Sequence, residues 1–404
     1  MKSRMRAPLW LLVLITISGT LAMHMFVPAL PDAARTFSAG SGAMQWTISV
    51  YIAGLAIGQL VYGPLSDSIG RRPLLILGLA LYTIAGLASA IASGLHTLLV
   101  ARLFQALGGG AGLALGRAIV RDSAQTDEAA GQLALLNLMM TVGPGLAPLL
   151  GSALAATCGW RSIFVLLAAL GGVTLFFTYR LLPETARPTG TVKLSALTHD
   201  YMLLLRSPSY VGLTLGGGCA TTSIYAFIAA SPFIVSTQLH RPPHEVGIYL
   251  GLVIVGVSLG NTCARHLIRK VSLDRMLMIG SALGFFAAFA FMLNVLIGNV
   301  TIFSAIGLMF LFAVGVGIAG PLALTKALST NSAVVGAAAG LYGFTQMVVG
   351  ALCTYTAGLG QNPALSAAVV LTIATVLGMA GFRLAQSWDR ACRRSTDQYA
   401  DDTP

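Results

Sequence analysis

Ionisable side chains are scarce in this chain: Asp, Glu, Lys and Arg make up 9% of its 404 residues. Against that background, Asp67, Arg71 and Arg72 crowd the short stretch from Gly63 through Gly70 to Arg72, between two apolar runs. An acid and two arginines at a helix exit can make and break salt bridges, which is the chemistry of a two-state latch. Arg121 and Asp122 offer the same chemistry after a later apolar run. Inside the apolar runs only His24 and Arg102 stand out, because all 13 acids fall between runs or at their ends. Ionisable groups placed that deep are costly and therefore suspect. Histidine titrates near neutral pH, whereas arginine keeps its charge. His24 is thus the group that could accept and release a proton, with Asp32 at the far end of the same run in reserve. A nearby Arg102 would hold His24 in its neutral form until substrate or geometry changes.

The elements that must position these groups are membrane spans. Hydrophobic residues supply 56% of the chain and mean hydropathy is strongly positive. A soluble protein would carry about a quarter charged residues. Apolar stretches long enough to cross about 30 Å of hydrocarbon lie near 8–28, 44–64, 74–93, 97–117, 133–156, 162–182, 209–230, 246–264, 276–297, 301–325, 334–358 and 363–384. The expected fold is therefore all-α, with twelve transmembrane helices. With the N-terminus inside, cytoplasmic segments hold 20 of the 24 basic residues, against three in outer loops and Arg102 within a span. That asymmetry places both termini in the cytoplasm and accounts for the net charge of +11 without nucleic acid. Trp10, Trp46, Trp160 and Trp388 fall at span ends, where an aromatic belt would place them.

The longest internal polar stretch divides the spans six and six. The expected organisation is a six-helix bundle over 1–182, a cytoplasmic linker over 183–208, a second bundle over 209–386 and a cytoplasmic tail over 387–404. Lys2, Arg4 and Arg6 precede an apolar run of about 20 residues, which is kept as the first helix rather than a cleaved leader. The five cysteines are scattered without metal-like spacing, so neither metal nor cofactor is expected.

Helical rise puts His24 about 24 Å from Pro8 and Arg102 about 22 Å from Arg117, so the two stand at similar depth. Thr20 and His24 share one stripe of the first helix, as Arg102 and Gln105 share one of the fourth. Gln59, Asn137, Thr141, Thr222, Tyr225, Tyr342 and Gln346 are polar positions within spans that could line a cavity for an amphipathic ligand. Gly143, Pro144, Pro148 and Gly151 mark the fifth helix as a kink or hinge, because proline removes a backbone bond.

Several of these runs resemble the major facilitator superfamily. Gly63-x-Leu65-x-Asp67-x-x-Gly70-Arg71-Arg72 is similar to its signature loop, Arg102-x-x-Gln105-x-x-Gly108 to its second motif, and Gly143-Pro144-Gly145-x-x-Pro148-x-x-Gly151 to its antiporter motif. Val27-Pro28-Ala29-Leu30-Pro31, Arg117-x-x-x-Arg121-Asp122, Gly159-Trp160-Arg161, Leu182-Pro183-Glu184-Thr185 and Ser231-Pro232-Phe233, taken in order, resemble the bicyclomycin-resistance (Bcr/CflA) drug-efflux family. The resemblance implies two six-helix bundles that rock about a central site in a bacterial inner membrane. It also implies a cytoplasmic gate at Asp67 and Arg71. The first helix departs from the pattern: members usually read Asp-Met-Tyr-Leu-Pro-Ala-Leu-Pro where this chain has His24-Met25-Phe26-Val27-Pro28-Ala29-Leu30-Pro31.

The resulting expectation is a monomeric, multi-pass, proton-coupled exporter of small amphipathic molecules, neutral or anionic rather than cationic. Its partners are substrate, protons and the bilayer. A dedicated exporter of a metabolite or siderophore is the alternative. An enzyme would need a nucleophile with its base or a His/Asp cluster, and a receptor would need an output domain; the sequence offers neither.

Overall fold

In a computed structural model the protein is described over residues 8–123, 126–185, 194–242, 244–268, 270–331 and 334–401. Among the described residues every regular element is a helix. The helices are α1 Leu9–Thr36, α2 Ser41–Ile69, α3 Arg71–Ala90, α4 Leu95–Ser123, α5 Thr126–Cys158, α6 Arg161–Leu181 and α7 Leu194–Leu205. They continue as α8 Pro208–Gln238, α9 Glu245–Leu267, α10 Leu273–Leu296, α11 Ile302–Ser329, α12 Val335–Ala357 and α13 Pro363–Asp401. Apolar segments without water must satisfy their backbone internally, and a helix does so within one segment.

Eleven of these helices are long and apolar enough to cross a membrane, all but α5 and α7. The twelfth expected span, 133–156, falls on α5, whose described apolar part is Gly145–Cys158. Contacts sort the long helices into two groups. In the first, α1 packs on α4 and α5, α2 on α4, and α3 on α4 and α6. In the second, α8 packs on α11, α12 and α13, α9 on α11, and α10 on α11 and α13. The groups meet where α2 lies against α12, α5 against α9, and the last turns of α1 against α8. Small residues permit the closest approaches. A Cβ at Gly151 would overlap the carbonyl oxygen of Met25, so the glycine lets α5 press on α1.

Two expectations need correction, the loop at Gly63–Arg72 and the belt position of Trp160, and two further segments prove helical. The stretch from Gly63 to Arg72 is not a loop: α2 continues through Pro64 to Ile69, α3 starts at Arg71, and Gly70 alone joins them. Gly70 has φ 110°, a left-handed value that glycine adopts freely, and a Cβ there would fall 2.6 Å from Glu184 Oε2. The 183–208 stretch contains the helix α7, which buries Leu204 and exposes Met202, Leu203 and Leu205. The tail beyond 387 continues α13 as helix to Asp401. Finally, Trp160 is not a belt residue. It is buried, its Nε1 donates to Thr36 Oγ1 at 3.1 Å, and its ring packs on Phe26, Phe37 and Phe164.

α1 and α8 are both broken, and each break follows from sequence. Pro28 and Pro31 tighten Val27–Ala29 into a 3-10 turn. In α8 the weak helix formers of Gly216–Ser223 precede a break at Ser223–Ile224, and Pro232 precedes a π-helical end at Ile234–Gln238. The span expected over 209–230 carried neither break, and the helix runs on to Gln238.

Candidate transport site

The two breaks bring His24 and Tyr225 together. Their rings lie 6.1 Å apart, edge to face, across the join between the two groups of helices. His24 is buried, and its Nδ1 lies 2.9 Å from the carbonyl oxygen of Thr20. A carbonyl can only accept, so Nδ1 carries hydrogen and the lone pair of neutral His24 sits on Nε2. That nitrogen is the one open to a proton or a ligand. Thr20 Oγ1 turns back onto the Ile17 carbonyl at 3.0 Å and so fixes its own turn of α1 rather than the imidazole.

Polar groups extend from Tyr225 along α8 and α12. Thr222 Oγ1 donates to the Gln346 carbonyl at 2.7 Å, and Gln346 Nε2 donates to Thr221 Oγ1 at 2.8 Å. Gly350 lies against Tyr225 and Thr222, where a Cβ would come within 2.8 Å and 3.2 Å of them. Gln59 of α2 reaches across to Gly343 of α12, and its Nε2 has no partner. The buried hydroxyl of Tyr342 lies against Gly217, likewise without a hydrogen bond. Five sequence-chosen positions, His24, Gln59, Thr222, Tyr225 and Gln346, therefore share the join. Thr221 belongs with them; its helical neighbour had drawn attention, and only the turn of α8 distinguishes the two. The side chains of Asn137 and Thr141 lie outside the described residues.

Arg102 sits elsewhere. It is fully buried inside the first group, where Nη1 donates to Gln105 Oε1 at 2.8 Å. Its guanidinium lies 3.9 Å from the Tyr51 ring centre and 5.5 Å from those of Phe26 and Phe164. Phe26 and His24 point to opposite sides of α1, since two helical residues differ by about 200°. Hence the structure does not bring Arg102 to His24, although both lie deep in the helices. Nε and Nη2 of Arg102 and Nε2 of Gln105 have no partners. Asp32 is farther away still, paired with Arg35 at the end of α1.

At one end of the molecule each group is tied by charge. Arg71, itself buried, donates from Nε to Asp122 at 2.6 Å and from Nη1 to Ser66 at 2.6 Å, and its Nη2 lies 3.1 Å from Asp67. The carboxylate of Glu184, from beyond α6, accepts the Arg71 and Arg72 amides at 3.0 Å and 3.1 Å and so caps α3. The sequence motif that contains Glu184 carries no sign of this role, because a cap from 113 residues away leaves no local signal. The Arg121 side chain lies outside the described residues. The structure gives no packing reason for Gly63.

The second group has an equivalent clasp. Lys326 at the end of α11 bridges Asp274 of α10 at 2.5 Å and Asp389 of α13 at 3.0 Å. Here acid stands at a helix start and cation at a helix end, as the helix dipole favours. The first clasp has the opposite order, with Arg71 opening α3 and Asp122 closing α4, and only Glu184 offsets it. The Lys326 clasp therefore has the more favourable dipole arrangement of the two. Lys326→Met is expected to cost about 1 kcal/mol, the scale of a half-exposed network. Detergent unfolding should register that loss while transport changes less than twofold.

Along α5, a Cβ at Gly143 would fall 4.0 Å from Ile17, an ordinary contact, while one at Gly145 would fall 3.0 Å from Ile254 of α9. The Pro148 carbonyl lies against Gly247, so this helix forms part of the join. The side chain of Pro144 is outside the described residues. A cleft of about 540 Å³ between α3 and α4 has apolar walls of Leu81, Ile84, Val100 and Phe104 on the outer surface. It is separate from the polar cluster.

Two groups of apolar helices, joined at a polar cluster and clasped by ion pairs at one end, define a membrane transporter. Residues 12–354 match the Major Facilitator Superfamily, and the chain belongs to it. Multidrug resistance protein D of Escherichia coli is 30% identical over 373 residues, which cover 91% of this chain and 93% of that protein. An uncharacterised MFS-type transporter of Bacillus subtilis is 27% identical over 382 residues, 92% of this chain and 94% of the relative. A solved bacterial homologue of the human lysosomal transporter Spinster, inward-facing and occupied, has a TM-score of 0.73 at 15% identity, covering 95% of this chain and 96% of its own. A D-xylose–proton symporter has a TM-score of 0.72 at 14% identity, covering 92% and 96%. Both structures share the fold. The protein is thus a transporter and not an enzyme.

Proposed function

We propose that this chain exports small amphipathic compounds, neutral or anionic, in exchange for protons, as a transporter of the bicyclomycin-resistance type. The observation that carries this reading is His24: a buried imidazole with Nε2 open, at the join of two broken helices, where relatives of that type have a carboxylate. Broken helices where two bundles meet are a usual construction of a transporter site. A neutral imidazole takes a proton without first needing a cationic partner, whereas a buried carboxylate would attract cations. Gln59, Thr221, Thr222, Tyr225 and Gln346 supply hydrogen bonds to a ligand held otherwise by apolar burial. Residues 1–182 and 209–386 act as the two rocking bundles in the bacterial inner membrane. Both termini and the clasp end are cytoplasmic, and a single copy suffices. Multidrug resistance protein D, by its name, supports the antibiotic-efflux reading.

The test is substrate-induced proton movement in inverted vesicles, with cationic, neutral and anionic compounds. His24→Asn should abolish proton movement while substrate binding persists. Undiminished movement in that variant would remove His24 from the mechanism. A wild type that answers none of these compounds would favour the dedicated exporter of a metabolite or siderophore.

A further inference from the structure

Two arginines at the clasp end stand outside the ion-pair network. Arg180, in the last turn of α6, is exposed with its guanidinium 5.3 Å above the Phe176 ring. Arg72, in the first turn of α3, lies 5.6 Å from the Tyr179 ring centre, and its Nη2 donates to the Tyr179 carbonyl at 2.8 Å. Arg72 Nε has no partner. The backbone of Tyr179 and Arg180 thus holds both cations along one α3–α6 seam. The Glu184 oxygens close by are engaged by the amides of Arg71, Arg72 and Thr185.

Below the two cations the seam is apolar and unpartnered. Tyr179 is 61% exposed, Phe176 53% and Val173 48% on α6. Such a stripe belongs in hydrocarbon, and its end belongs at the headgroup level, where aromatic rings and long basic side chains collect. An occupant must therefore carry a long apolar body and an anionic head that accepts from guanidinium groups. Arginine suits a phosphate because its planar fork can donate two parallel hydrogen bonds.

We propose that the α3–α6 seam binds an acidic phospholipid of the inner leaflet, with its phosphate between Arg72 and Arg180 and an acyl chain along Phe176 and Val173. The surface rests on the transmembrane orientation given above but not on proton coupling or on the identity of the substrate. It has a consequence for the clasp. The Arg72 amide shares Glu184 with that of Arg71, so a lipid that fixes Arg72 also fixes the start of α3. Bilayer charge then biases the clasp that Arg71 makes with Asp122.

The experiment compares thermal unfolding of the full-length protein in phosphatidylcholine vesicles with and without phosphatidylglycerol. Wild type should unfold several degrees higher when phosphatidylglycerol is present. Arg180→Gln should lose at least half of that gain, and Arg72→Gln/Arg180→Gln nearly all of it. Arg265→Gln, a cation elsewhere in the chain, should keep it. The proposal fails if wild type gains nothing, or if the Arg180→Gln protein gains as much as wild type. It fails equally if inorganic phosphate in detergent gives the same gain, since the seam would then bind an anion rather than a lipid. Arg180 makes no ion pair in the clasp, so its variant tests the surface even if Arg72→Gln does not fold.

Discussion

Arg71→Gln is expected to lower transport by more than tenfold and to destabilise the protein by about 3 kcal/mol, the low end for breaking a buried ion pair. The side chain of Arg71 is 9% exposed and that of its main partner Asp122 22%. Removing the cation leaves Asp122 without its charge partner and Ser66 Oγ without its guanidinium donor. Asp67, 65% exposed, retains water and adds little to the energy. Detergent unfolding would measure the stability and vesicle uptake the transport. Arg71→Gln/Asp122→Asn should recover much of the stability, because no lone charge remains buried. If transport recovers along with it, the clasp is scaffolding; if transport stays low, the charges themselves take part in the conformational change. Wild-type transport by Arg71→Gln would exclude a gate at this clasp.

The second large effect is expected to have opposite signs for stability and function. Arg102 is a fully buried cation whose polar contact is Gln105, with two nitrogen positions unsatisfied. Placing arginine at the centre of a membrane helix costs about 2.5–3.5 kcal/mol even on lenient scales. The aromatic faces of Tyr51, Phe26 and Phe164 offset part of that cost. Arg102→Met retains an unbranched apolar chain and removes the charge. The variant should unfold at the same temperature as wild type or higher, while transport falls at least tenfold. A drop of several degrees with transport preserved would make Arg102 a packing residue held by its aromatic box. The expected result would show that the charge is retained for function at the expense of stability. Because Arg102 and His24 face opposite sides of α1, the charge then acts by shaping the first bundle rather than by touching the imidazole.

Much of this protein is legible in its sequence, and the reason is its solvent. In hydrocarbon the backbone has one local solution, the helix, so apolar length alone locates the spans, and basic residues suggest their direction. The acid-free interior, the isolation of His24 and Arg102, and the charges around Asp67 could all be read directly. Local rules failed where a neighbour decides. Pro64 lies inside a helix and Gly70 is the sole joint between α2 and α3, because packing overrides a single breaker residue. The helix α13 runs on to Asp401 through a polar stretch that holds no glycine or proline. The Glu184 cap, the burial of Trp160 and the Lys326 bridge link residues far apart in the chain, so spacing carries no trace of them. Depth along a helix is counted from sequence, and it placed His24 and Arg102 at one level. Azimuth across two breaks is not, and only the tertiary structure set His24 against Tyr225 and enclosed Arg102 among aromatic rings.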